Sequence, residues 1–347
     1  MEKRIFGKTK EGQKCYVYTL ENSKGLKVNL LDLGAAIQGI IVPDERGVYV
    51  NIVKGFATVE GYEKTGKFFG GTIGRHAGQI AGCKFSIDGN EYALNDNDHG
   101  NSMHGGFAGF NKRVFKTEII DESSIKFSYL SPDMEEGYPG NLDVEVGYTL
   151  DDENRLIINY KAVSDEDTVL NMTNHSYFNL DDSSSILDHY LYCDSDAYCA
   201  IDKNGMPTGV ILPVKGTPMD FNNPTQIGER IEEKYEQVKI FGGYDHNWIL
   251  HNEGDINKLC VKLENNKRTR FVEVYTTKPG VQLYSGNSMD DPEERGRDGI
   301  CFSHRGAICM ETQFYPNALN NRHFPSVILK KGTEYNYTTI YKMGWKY

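Results

Sequence analysis

Leu142-Asp143-Val144-Glu145-Val146-Gly147-Tyr148-Thr149-Leu150, then Asp151-Asp152-Glu153-Asn154, then Arg155-Leu156-Ile157-Ile158-Asn159-Tyr160-Lys161-Ala162-Val163 is the stretch that decides the fold. In the first segment apolar residues recur at every second position, the period of a strand buried on one face. Four polar residues of turn type follow, and a second segment rich in β-formers returns. Segments of the same kind lie on either side: Val114 to Ile120, Ile125 to Leu130, Arg270 to Thr277 and Tyr335 to Tyr341, each rich in Val, Ile, Tyr or Phe. Asp88-Gly89-Asn90, Pro139-Gly140-Asn141 and Lys278-Pro279-Gly280 add turn signals, and 36 glycines, 22 tyrosines and 16 phenylalanines fit the same pattern. Many short strands at such spacing predict an all-β chain, a sandwich or barrel. Helical signals are few. The best spans Thr225 to Tyr235, where Ile227 and Ile231 stand four apart amid Glu and Arg. No Pro, Ser or Gly linker divides the 347 residues and no repeat occurs, so one large β domain over 1–347 is expected.

Charge and motifs exclude several function classes. The chain has 38 basic and 49 acidic residues, a net charge of −11. A nucleic-acid backbone would need clustered Lys and Arg, so a small-molecule substrate is expected and a nucleic-acid partner is not. The seven cysteines are odd in number, irregularly spaced and without a CxxC pair. Neither a disulfide framework nor a zinc knuckle is indicated, and reduced thiols in the cytoplasm are expected. Met1-Glu2-Lys3-Arg4-Ile5-Phe6-Gly7 lacks the apolar core of a signal peptide, and no apolar run approaches membrane-spanning length, so no membrane association is expected. Asn171-Met172-Thr173 and Asn336-Tyr337-Thr338 match the glycosylation acceptor pattern and, without a secretion signal, read as chance. There is no GxxxxGK[ST], HExxH or GxSxG, and Gly70-Gly71-Thr72-Ile73-Gly74-Arg75 has the wrong spacing for a dinucleotide fingerprint. Nothing implies a cofactor.

Two segments carry proton-transfer groups in a frame of aromatic and amide residues: Asn174-His175-Ser176-Tyr177-Phe178-Asn179-Leu180 and Glu311-Thr312-Gln313-Phe314-Tyr315-Pro316-Asn317. A carboxylate and an imidazole suit proton transfer on a neutral substrate such as a sugar. Glu311 follows the apolar run Ala307-Ile308-Cys309-Met310, where an unpartnered carboxylate is costly; the plain alternative is an ion pair with Arg75 or Arg305. His175 would otherwise be a core histidine bonded to a carbonyl. His104, in the loop His104-Gly105-Gly106, reads as a donor to substrate or as a turn cap. In Tyr244-Asp245-His246-Asn247-Trp248 the carboxylate could accept hydroxyls and the indole stack on a sugar, or Trp248 could anchor the core. Gln282 could bind a hydroxyl or pair with backbone. A zinc reading would gather His99, His104, His175, Asp245 and His246; no close ligand pair joins the His104 and His175 segments, so no metal is expected.

Taken in order, Gly74-Arg75-His76-Ala77, His104-Gly105-Gly106, Asn174 to Leu180, Tyr244-Asp245-His246-Asn247, Gln282-Leu283-Tyr284-Ser285-Gly286-Asn287 and Glu311-Thr312-Gln313 with Pro316-Asn317 resemble the aldose 1-epimerases, the galactose mutarotases. The resemblance spans nearly the whole chain. It implies a large antiparallel β-sandwich of the galactose mutarotase-like supersandwich type with few short helices. It also implies cofactor-free interconversion of the α and β anomers of galactose or glucose. By position, Glu311 resembles the base at the C1 hydroxyl, His175 the acid at the ring oxygen, and His104 a helper. Asp245, Gln282, Arg75, Gln79 and Asn174 resemble substrate-binding residues. The family often reads Gly-Arg-x-Ala-Asn-Arg-Ile where this chain has Gly74-Arg75-His76-Ala77-Gly78-Gln79-Ile80, so Gln79 stands in place of an arginine. That replacement keeps two other readings open: a non-catalytic sugar-binding protein, or an epimerase for a different sugar such as a phosphorylated one. A monomer or homodimer is expected.

Overall fold

The structure, a computed structural model, describes residues 1–43, 47–181 and 183–346. Leu142–Leu150 is a strand whose alternate residues are buried, as its period requires. It pairs antiparallel with Arg155–Ser164, from Leu142 opposite Ser164 to Leu150 opposite Leu156. In the turn between them, Asp151 Oδ1 accepts from the backbone N–H groups of Glu153 and Arg155, the local bonding that makes aspartate a turn residue.

These two strands lie in a nine-stranded sheet ordered Lys116–Ile119, Ser124–Ser131, Leu142–Leu150, Arg155–Ser164, Glu334–Trp345, Arg270–Thr276, Val261–Glu264, Tyr190–Cys193 and Thr225–Gln226. A seven-stranded sheet runs Pro207–Pro213, Ala197–Ile201, Asp245–Ile249, Gly280–Tyr284, Ile308–Gln313, Tyr177–Phe178 and Val53–Lys54. The first five strands, Glu2–Lys8 to Tyr49–Asn51, form a meander of their own. Every strand ladder is antiparallel, as expected of a sandwich.

One apolar core joins the three sheets. It takes Val28 and Ile37 from the meander, Val144, Ile158 and Tyr341 from the nine-stranded sheet, and Trp248, Leu283, Met310 and Phe178 from the seven-stranded sheet. Each fully buried aliphatic or aromatic side chain contributes on the order of 1.5–3 kcal/mol. The Tyr341 hydroxyl bonds the Met310 carbonyl at 3.1 Å, tying the two large sheets together beneath Glu311.

Among the described residues α-helix is confined to Val59–Lys64, Ile227–Arg230 and Glu236–Phe241. The helix expected over Thr225 to Tyr235 is cut short. Thr225–Gln226 adds a strand to the sheet edge, and a single turn follows. Ile227 and Ile231 are both buried, so their spacing does report one helical turn. Gly228 packs so closely on Leu187 that a Cβ would stand 2.9 Å from Leu187 Cβ.

Candidate active site

The period of two sorts the seven-stranded sheet into two faces. His246, Trp248, Val281, Leu283, Ile308, Met310 and Phe178 turn inward. Asp245, Asn247, Gln282, Tyr284, Cys309, Glu311, Gln313 and Tyr177 share the other face. The register puts Asn247 opposite Gln282, Gln282 opposite Glu311, and Tyr284 opposite Cys309. Residues far apart in sequence thereby become lateral neighbours on a rigid floor.

His175 reaches that floor from the segment beside it. Its backbone N–H donates to the Gly71 carbonyl at 3.0 Å and its carbonyl accepts from Gly70 N–H at 2.8 Å. Gly70 is required there: its φ is +64°, and a Cβ would lie 2.0 Å from the Ile37 carbonyl oxygen. His175 Nε2 stands 3.5 Å from Glu311 Oε1, with both side chains almost fully buried. The other ring nitrogen, Nδ1, lies 3.5 Å from the Cys309 thiol. The Phe68 and Tyr177 rings flank the imidazole with centroids at 5.7 and 5.0 Å.

His104 arrives on the turn after Asn101–Met103. Its ring centroid is 5.4 Å from that of His175, and Phe68 packs edge-on against it at 4.7 Å. Gly78 N–H donates to His104 Nδ1 at 3.2 Å, so in the neutral ring the proton sits on Nε2. The glycine after it is dictated by packing, because a Cβ at Gly105 would lie 2.0 Å from the Gly74 carbonyl oxygen.

Electrostatics favour uncharged forms throughout. Burial, then repulsion from Asp245, raises the Glu311 carboxyl well above the usual carboxylate range. Burial lowers the His175 imidazole to about 4. It also holds His104 well below its ordinary value, with His175 and His76 adding to the effect. Burial raises Asp245 to about 6, against a bond from Gln282 Nε2 to Asp245 Oδ1 at 2.7 Å. Gln282 Oε1, Glu311 Oε2 and Gln313 Oε1 are buried acceptors on the floor with no partner among the described residues. Such acceptors suit a ligand rich in hydroxyl donors. Beside them a narrow cleft is lined by Gln79, Asp245, Asn247, Gln282, Pro316 and Phe241. A wider hollow between Tyr49, Arg270 and Phe302 contains none of the candidate residues.

Glu311, His175, His104, Asp245, Gln282 and Gln79 thus gather at one place. Arg75 and Asn174 do not serve there as expected. All three guanidinium nitrogens of Arg75 are committed inside the protein, to Ser131, Thr168 and the carbonyls of Ser131, Pro132, Pro139 and Gly140. Asn174 Nδ2 donates to the Gly70 carbonyl at 2.7 Å and its Oδ1 accepts from Ser176, so it braces the loop that positions His175. The expected ion-pair alternative for Glu311 also fails, since Arg305 pairs with Glu232. Trp248 lies in the core with its Nε1 bonded to the Met219 carbonyl at 3.0 Å, so its indole is not a sugar platform. Of the residues in the zinc reading, only His104 and His175 converge, joined by Glu311, with their ligating atoms within 4.8 Å. His104 presents an N–H at Nε2 while Nδ1 accepts from Gly78, which is a poor state for a metal ligand. Phe68 and Cys309 belong to the site and carry no motif that marks them. Their role follows from register and packing.

A buried carboxyl–imidazole pair, a second histidine offering a proton, and a floor of unpaired amide oxygens define an enzyme that moves protons on a neutral polyhydroxy substrate. The aldose 1-epimerase family model matches residues 16–342. The chain is 39% identical to the galactose mutarotase of Rattus norvegicus over 98% of its own length and 97% of the relative's. It is 33% identical to the aldose 1-epimerase of Escherichia coli K12 over 96% of both chains. The solved GalM/aldose epimerase homologue from C. elegans superposes with a TM-score of 0.89 at 28% identity, covering 95% of this chain and 99% of that one. The chain belongs to the aldose 1-epimerase family and is an isomerase that interconverts aldose anomers.

Proposed function

We propose that the substrates are free aldohexoses, galactose and glucose, and that the chain works as one cofactor-free unit. The observation that carries this reading is the 3.5 Å approach of His175 Nε2 to Glu311 Oε1, with both side chains buried. Ionised Glu311 takes the proton of the C1 hydroxyl while protonated His175 gives its Nε2 proton to the ring oxygen. The C1–O5 bond breaks to leave the aldehyde. Rotation about C1–C2 presents the other face. The C5 hydroxyl then returns its proton to His175 as it attacks C1, and Glu311 returns its own to O1.

Both groups are uncharged when the ring is open. The low-dielectric surroundings that raise Glu311 and lower His175 therefore favour the protonation states of the open-chain intermediate. His104 offers a hydrogen bond from Nε2–H to the ring oxygen without giving up its proton, and Asp245 and Gln282 hold hydroxyls. Gln79 lines the cleft, whose lining residues include no lysine or arginine, which favours a neutral over a phosphorylated sugar. The seven unpaired thiols fit a reducing, cytoplasmic setting.

Polarimetry on freshly dissolved α-D-galactose and α-D-glucose tests the reading. Rapid equilibration by the wild type and the blank rate with Glu311→Gln are expected. Wild-type equilibration of both sugars at the blank rate would overturn it in favour of a binding protein or another sugar.

A further inference from the structure

Gln313 stands two residues beyond Glu311 on the same strand and the same face, so their side chains are roughly 7 Å apart, comparable to the width of a pyranose ring. It is buried, with 1% of its surface exposed, yet its Oε1 has no partner among the described residues. The orientation of its amide is set by its neighbour. Asn247 Nδ2 donates to the Trp248 carbonyl at 3.3 Å, which leaves Asn247 Oδ1 to accept from Gln313 Nε2 at 3.4 Å. The oxygen of Gln313 is then the free end. Asn247 and Pro316 both line the cleft, and Gly78 comes close beside Gln313, where a Cβ would lie 3.8 Å from its Nε2. An amide that merely filled space would find both ends bonded or be replaced by an apolar side chain, because an unpaired buried acceptor costs about 1–3 kcal/mol.

We propose that Gln313 is a substrate-binding, specificity-determining residue whose Oε1 accepts a bond from a hydroxyl on the side of the sugar remote from C1. This rests on the mutarotase reading. Gln282 and Gln313 then flank Glu311 on the sheet floor, one on the neighbouring strand and one further along its own, and together they fix the ring while C1 reacts.

The test is steady-state mutarotation of galactose, glucose and their 2-, 3-, 4- and 6-deoxy analogues by the wild type and Gln313→Met, with thermal unfolding of both proteins. For galactose, a fall in kcat/KM of roughly 10- to 100-fold is expected, carried by KM, with an unchanged pH profile. The unfolding temperature should be unchanged or higher, because the unpaired oxygen is gone. One deoxy sugar, lacking the partner hydroxyl, should be handled equally by both proteins. Should Gln313→Met not fold, Gln313→Asn withdraws the oxygen by one methylene and carries the same comparison. Equal kcat/KM of variant and wild type for every sugar would overturn the proposal. So would a uniform loss for every deoxy sugar accompanied by a lower unfolding temperature, which marks a structural residue. Wild type that equilibrates neither galactose nor glucose would instead sink the mutarotase reading, whatever the variant does.

Discussion

Glu311 and His175 show how burial and chemistry are coupled at single residues. Glu311→Gln removes the base and is expected to lower kcat/KM by about 10²–10⁴-fold, as is His175→Asn for the acid. Neither should unfold the protein, and circular dichroism with thermal melts checks this. The carboxyl has a raised value in the folded state, so the native protein binds its proton more tightly than the unfolded chain does. Its contribution to stability is full below the unfolded value and is lost as pH rises through the folded one. The unfolding temperature of Glu311→Gln relative to wild type should therefore climb as pH is raised from about 4.5 toward neutrality. A difference that stays flat with pH would contradict a raised carboxyl. In catalysis the working pair holds one proton, so kcat/KM should fall on the acid side as His175 takes up a second proton near 4, and on the alkaline side as the carboxyl loses its own above the ordinary glutamate range. His175 shifts the other way: lowered to about 4, it supplies stability above its unfolded value that is lost as pH falls toward 4.

At the scale of elements, glycines and register decide where those side chains stand. Gly105 has a φ of +86° and no room for a methyl group against the Gly74 carbonyl. Gly105→Ala should cost more than about 1 kcal/mol of stability and move His104, so a lower unfolding temperature and a reduced kcat are expected together. Wild-type kinetics in that variant would show that His104 is not held by this turn. Some of these elements were readable directly. Asp88-Gly89 is a two-residue hairpin loop with both φ values positive, 49° and 87°, joining Lys84–Ile87 to Asn90–Ala93, as an Asp-Gly pair predicts. Glu311 and Gln313 share a face because a strand has period two. By contrast, the roles expected for Arg75 and Asn174 rested on position in a motif. Sequence gives a residue's type and neighbours but not which carbonyls will surround it, and here those carbonyls take the polar atoms of both. No periodicity signals a lone phenylalanine such as Phe68, at φ 59°, whose ring meets two histidines from different segments.

Across the whole molecule, the sandwich also buries a lysine amine. Lys278 has no exposed surface; its Nζ bonds the Met172 carbonyl and lies 4.1 Å from the Tyr160 ring centroid, and burial holds its amine well below the ordinary lysine value. A depressed folded value means that ionisation of the unfolded chain competes with folding until pH approaches about 10.4. Lys278→Met should thus gain stability relative to wild type at pH 7, with the gain shrinking as pH rises toward 10; thermal melts across that range check the slope. What the sequence determined by itself was local and periodic: the strands, the tight turns, the all-β class, and the presence of a carboxylate and imidazoles in polar, aromatic frames. These follow from side-chain alternation and backbone sterics, which act within a few residues. Only the tertiary structure decided which groups meet. The register of Asp245–Ile249, Gly280–Tyr284 and Ile308–Gln313 and the docking of the Gly70–Gly71 loop bring His104, His175 and Glu311 together across some 200 residues. Their shifted protonation follows from that same packing, because desolvation is a property of the assembled core and not of any segment of chain.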